Sequence, residues 1–146
     1  MRQPKTDIPG LIINGRNAFL PADLDRRYSR EPLPDYADVL ANIVRWAAKG
    51  EIPMRLEGHG LFDCNLYTQP GRVIAHIANL TATGRMPIDE LVPGGPLKFH
   101  LQLPKGVHAR AVKMLVANTT AAPVISNGWA TVSIPTVVGH EVLVLE

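Results

Sequence analysis

The sequence predicts a mainly β protein, an antiparallel β-sandwich of about eight short strands preceded by a short strand–helix segment. Three observations carry this expectation. After residue 50 nearly every apolar stretch alternates with period two, most clearly where Leu97, Phe99, Leu101 and Leu103 interleave with Lys98, His100 and Gln102. Turn signals separate these stretches at short intervals: Gly58-His59-Gly60, Gln69-Pro70-Gly71, Pro93-Gly94-Gly95, Pro104-Lys105-Gly106 and Ser126-Asn127-Gly128. Before residue 50 a single segment follows the helical period, through Val39, Leu40, Ile43, Val44 and Ala47. The change of period divides the chain into 1–50 and 51–146. A closed barrel is the alternative arrangement of the strands.

Residues 1–10 hold two prolines and a glycine and are expected to be irregular. Leu11-Ile12-Ile13 is a short apolar run closed by Asn14-Gly15, a pair suited to positive φ, and Asn17-Ala18-Phe19-Leu20 follows at once. Together they read as a hairpin too small to stand alone. The charged stretch Pro21–Pro34, with Pro32 inside it, reads as an exposed connection. A helix is expected from Asp35, whose side chain suits the N-cap, to Lys49-Gly50, with Trp46 near the edge of its apolar face.

Strands follow around Ile52–Leu56, Phe62–Leu66, Leu97–Leu103, Ala111–Ala117, Pro123–Ser126, Trp129–Ile134 and Glu141–Leu145. The stretch Gly71–Thr81 is expected to be the central strand. Val73, Ala75 and Ile77 point one way, Ile74, Ala78 and Leu80 the other, and both faces are expected to be covered.

The composition narrows the function classes. Fifteen basic and 13 acidic residues leave a net charge of +2, too even a balance for a nucleic-acid footprint. Arg26, Arg27 and Arg30 are interleaved with Asp23, Asp25 and Glu31, which suits a solvated surface. Apolar runs are broken long before the roughly 20 residues needed to span a bilayer. Met1-Arg2-Gln3-Pro4-Lys5 leads into a polar stretch rather than a secretion leader, so no membrane partner and a cytoplasmic location are expected. The single cysteine, Cys64, cannot form an internal disulfide and reads as a small buried hydrophobe.

No arrangement of residues points to chemistry within the chain. Glycoside hydrolysis needs two carboxyl groups about 5–10 Å apart, and Asp23, Asp25, Asp35, Asp38, Asp63, Asp89, Glu90 and Glu141 show no such pairing pattern. His59, His76, His100, His108 and His140 lack the short spacings of a zinc site. His76 is expected to be a hydrogen-bonded structural residue, His100 to face solvent, and the two to be able to meet across strands. No catalytic residue, metal ligand or cofactor site is expected. Asn79-Leu80-Thr81 and Asn118-Thr119-Thr120 match the glycosylation acceptor pattern by chance. A sugar site needs exposed aromatic rings near amides, for which Tyr67, Asn127 and Trp129 are the candidates. A packing interface is the reading for Val39, Leu40, Ile43, Val44 and Trp46, since such a face left bare invites association.

Four segments occur in an order that resembles a known family. They are Asn17-Ala18-Phe19-Leu20-Pro21-Ala22-Asp23-Leu24-Asp25-Arg26, the helix end Asn42-Ile43-Val44-Arg45-Trp46-Ala47, then His76-Ile77-Ala78-Asn79-Leu80, and last Gly139-His140-Glu141-Val142-Leu143-Val144-Leu145-Glu146. The chain resembles the C-terminal end of family 42 β-galactosidases and related hypothetical glycosyl hydrolases. The resemblance implies that residues 1–50 correspond to the end of an amidotransferase-like trimerisation domain and 51–146 to a C-terminal β-sandwich. The barrel that carries the family's two catalytic carboxylates has no counterpart here.

The expected function is therefore a non-catalytic accessory region that packs between domains or subunits. Its expected partners are the other domains of a larger enzyme, or copies of itself. A carbohydrate-binding module is the first alternative and a small independent enzyme the second.

Overall fold

The computed structural model describes residues 7, 9–50, 52–82 and 90–146; the expectations for residues 1–6 and for Asp89 lie outside them. The chain forms two compact units, Met1–Ile52 and Pro53–Glu146.

The first unit opens with a hairpin of β1 (Ile12–Asn14) and β2 (Asn17–Phe19), paired so that Asn14 faces Asn17. Gly15 takes φ 60° in the two-residue turn, a conformation glycine adopts without steric penalty. Helix α1 (Leu24–Arg30) follows, so Pro21–Pro34 is not the plain connection expected. Asp25 in its first turn and Arg27 and Arg30 in its last complement the helix dipole, while Pro21 and Pro32 fall outside it. Only Leu24 and Tyr28 are apolar along it, and a helix without an apolar stripe leaves no periodic signal.

Helix α2 (Pro34–Ala47) begins one residue earlier than expected, with Pro34 at the first position and Leu33 at the cap. Asp35 does not cap it and lies in the first turn. The fixed φ of proline suits that first position, and the carboxylate there still meets the positive end of the dipole. At the other end Gly50 N–H donates to the Arg45 carbonyl at 2.8 Å, and Arg16 Nε donates to the Ala47 carbonyl at 3.2 Å. A cation at a helix C-terminus satisfies carbonyls that have no partner within the helix.

The second unit is a β-sandwich of nine strands among the described residues. In order these are β3 (Met54–Glu57), β4 (Phe62–Gln69), β5 (Arg72–Asn79), β6 (Leu97–Gln102), β7 (Val112–Met114), β8 (Thr119–Ala121), β9 (Val124–Ser126), β10 (Trp129–Ile134) and β11 (His140–Leu145). One sheet has the order β3-β6-β10-β9 and the other β4-β5-β11-β7-β8, every pairing antiparallel. Leu97, Phe99, Leu101, Ala130, Val132 and Ile134 of the first sheet meet Val73, Ala75, Ile77, Val112, Leu143 and Leu145 of the second in one buried core. Strict alternation along β6 and β10 produces this, since successive side chains leave opposite faces of a strand.

Two expectations need correction. The centre of the five-stranded sheet is β11, not the Gly71–Thr81 stretch. That stretch, as β5, buries Val73, Ala75 and Ile77 but leaves Ile74 and Ala78 half-exposed and His76 exposed on the outer face, so only one face is covered. Likewise, the strand expected over Ala111–Ala117 stops at Met114, and the chain turns back into β8.

Candidate functional site

The outer face of the four-stranded sheet holds the candidate site. The alternation that turns half-buried Met54 and Leu56 toward the core turns Arg55 and Glu57 outward, and the same rule turns out Lys98, His100 and Gln102 on β6 and Trp129, Thr131 and Ser133 on β10. Strand register sets Arg55 and Thr131 on either side of His100, and Trp129 beside Gln102. Arg55, His100 and Trp129 line a cleft of about 330 Å³, at the small end of the roughly 300–1,000 Å³ of ligand sites.

The His100 ring is held between two neighbours. Its Nδ1 lies 2.9 Å from Thr131 Oγ1, and its buried Nε2 stands 3.6 Å from Glu57 Oε1, too far for a hydrogen bond and without another partner among the described residues. The Arg55 guanidinium and the Trp129 indole N–H have no hydrogen bond or ion pair to any described residue. The site therefore presents a free cation, an aromatic ring with a free donor, and a fixed imidazole wall.

Trp129 is placed by the turn before it. Asn127 and Gly128 take φ 51° and 79° between β9 and β10, the two positive values of a tight hairpin turn, and Trp129 is the first residue of β10. Asn127 thus shapes the turn at the end of this face. Tyr67 stands elsewhere. It projects from the outer face of the five-stranded sheet, with its ring edge-on to the His76 ring at 5.4 Å, so the three sugar-site candidates are not brought together. His76 and His100 belong to different sheets and do not meet. His76 makes this ring contact on an exposed face rather than the expected hydrogen bond, and His100 is part-buried rather than solvent-facing. Arg55 escaped the sequence reading because nothing in its own strand shows that β3 pairs with β6.

Other polar groups are structurally engaged. Glu141, 2% exposed, accepts backbone N–H groups from Val116 at 2.9 Å, Ala117 at 3.0 Å and Val142 at 2.7 Å. Asn79 Nδ2 donates to the carbonyls of Val92, Val137 and Val138 at 2.8 to 2.9 Å, and its Oδ1 accepts from Thr81 N–H and Oγ1. The Asn79-Leu80-Thr81 motif is thus a loop clamp. Asp23 pairs with Arg26 at 3.6 Å, and Asp63 accepts from Asn65. Half-buried Cys64 packs against the core, where burial and then the Asp63 charge push its thiol pKa up. Among the described residues no group of three His, Cys, Asp or Glu is placed to hold a metal ion, and no helix is long and apolar enough to cross a membrane.

The expected interface residues lie on α2. Val39, Val44 and Trp46 are exposed and Leu40 and Ile43 half-buried. No described residue of the first unit is buried.

No family model matches the chain, and no curated protein matches it. In fold it is similar to the alpha-L-fucosidase isoenzyme 2 from Paenibacillus thiaminolyticus, with a TM-score of 0.71 and 17% identity over 94% of this chain and 22% of that chain. At that identity the likeness establishes the fold and assigns no residue a role. It supports a glycoside hydrolase-like fold and does not extend to the family 42 β-galactosidases.

Proposed function

We propose that the chain is a non-catalytic accessory region of a glycoside hydrolase, and that residues 1–52 carry its packing surface toward the catalytic part of that enzyme. The observation that carries this reading is the absence of any buried described residue in the first unit, although it displays Ile12, Ile13, Phe19, Val39, Val44 and Trp46 to solvent. Covering a large apolar side chain contributes about 1.5–3 kcal/mol, so this unit has several such contributions to gain from a partner. Large apolar side chains left exposed together in one small unit favour association. The fold likeness to about a fifth of a fucosidase chain supports the choice of occupant.

The test is immunoprecipitation from the source cells with an antibody against residues 53–146, followed by assay of the precipitate on aryl fucosides and aryl galactosides. Glycosidase activity should accompany the chain. Phe19→Lys and Val44→Lys together should strip that activity from the precipitate if the enzyme is a separate polypeptide, or destabilise it if the two are fused. Recovery of the chain with no glycosidase activity would overturn the proposal.

A further inference from the structure

We infer that the cleft between Arg55, His100 and Trp129 binds a single pyranose ring that carries a carboxylate, that is, the uronic-acid unit of a saccharide. All three residues belong to the second unit, so this site does not depend on what covers residues 1–52.

Each wall suits one part of such a ligand. Trp129 is half-buried and lines the cleft; an indole can stack on the C–H face of a sugar, and its N–H wants an acceptor when enclosed. The guanidinium of Arg55, unpaired within the described chain, presents a planar fork that matches a carboxylate with two parallel hydrogen bonds. The His100 ring, pinned by Thr131 at 2.9 Å, forms a wall rather than a donor, because its Nε2 is enclosed. Gln102, exposed and opposite Trp129 in register, offers an amide beside the stacking face for ring hydroxyls.

Two further observations choose among ligands. A cleft of about 330 Å³ has room for one ring rather than a chain of them. Glu57 stands against His100 Nε2 at 3.6 Å, opposite Lys98 in register and outside the cleft lining, so Arg55 is the charged group that lines the cleft. A neutral hexose would leave that cation unused, whereas a nucleotide would bring a second ring system and a more highly charged group than one guanidinium balances.

The experiment is titration calorimetry of the full chain with galacturonic and glucuronic acids, their neutral parents galactose and glucose, and adenosine monophosphate. The uronic acids should bind saturably, more weakly as salt is raised, and the neutral sugars about 10- to 100-fold less tightly, the loss expected for a charge-assisted hydrogen bond. Arg55→Gln should remove that preference while leaving the circular dichroism spectrum unchanged. Trp129→Ala should abolish binding of both kinds, Trp129→Phe should retain most of it should the alanine variant fail to fold, and Trp46→Phe should change nothing. Equal affinity for neutral sugars, preference for the nucleotide, a uronate preference that survives Arg55→Gln, or no saturable binding would each overturn the inference.

Discussion

At the residue scale, three side chains do most to fix the ends of the sandwich. Asn79 joins the carbonyls of Val92, Val137 and Val138 to the Thr81 turn, beside the Gly94 N–H that the Val137 carbonyl also accepts. Asn79→Ala should lower unfolding free energy by about 1–3 kcal/mol, read from the urea midpoint at unchanged slope. Glu141 does the same for the turn after β7 by taking the N–H groups of Val116 and Ala117, along with that of Val142, and Glu141→Gln, which turns a donor toward those donors, should cost a similar amount of about 1–3 kcal/mol. Glu146 behaves differently because it is half-exposed at the surface and ion-paired. Its pKa is lowered by the hydrogen bond from Lys113 first and by the Lys113 charge second, with burial opposing and Arg72 assisting. A depressed carboxylate stabilises the fold above its unfolded pKa of about 4.3 and loses that contribution as pH falls through the folded value. The melting-temperature gap between the natural chain and Lys113→Met should therefore be present at neutral pH and close on acidification; a gap that persists in acid would mean that Lys113 acts by packing alone.

At the element scale, Cys64 on β4 separates inner from outer face. Its thiol, pushed up by burial and then by Asp63, should react slowly with iodoacetamide in the folded chain. It should react faster in Asp63→Asn and fastest in urea, since the thiolate is the reactive form. A folded-state rate equal to the rate in urea would contradict its inward placement. This inside-outside sorting was legible in the sequence where alternation was clearest: along β6 it set Leu97, Phe99 and Leu101 apart from Lys98, His100 and Gln102. What alternation cannot convey is which strand lies beside which, because period two names a face and not a neighbour. Trp129 could thus be singled out as a ring next to a turn, while Arg55 could not be joined to it until the β3-β6-β10 order was known. Tyr67 was grouped with Trp129 for the same reason and belongs to the other sheet. The β5 stretch was misplaced because Ile74 and Ala78, apolar but outward, imitate a strand covered on both faces. Helix α1 was missed because its stability draws on end charges rather than on an apolar stripe.

At the scale of the whole molecule, the two units differ in what holds them. Residues 53–146 close a core from both sheets, with Phe99, Ile77 and Leu143 fully buried, whereas residues 1–52 have a 14-residue helix, a seven-residue helix and a three-residue-strand hairpin with no buried described residue. Isolated helices shorter than about 12–15 residues are marginal in water, and so are lone hairpins. Opening of the first unit should therefore require little free energy, while the second should open only on global unfolding. Hydrogen exchange followed by mass spectrometry tests this directly. Amides of α2 should exchange early under native conditions, and those of β6, β10 and β11 should stay protected to the limit set by global stability. Residues 53–146 alone should unfold cooperatively at the same denaturant midpoint as the full chain. A partner that covers the α2 face should then slow exchange across Pro34–Ala47, since binding to the folded form alone raises its stability by mass action. The same partner should leave exchange at β6 unchanged. Strong protection of α2 in the free chain would show that the first unit holds itself together, and the argument for an occupant would lose its basis.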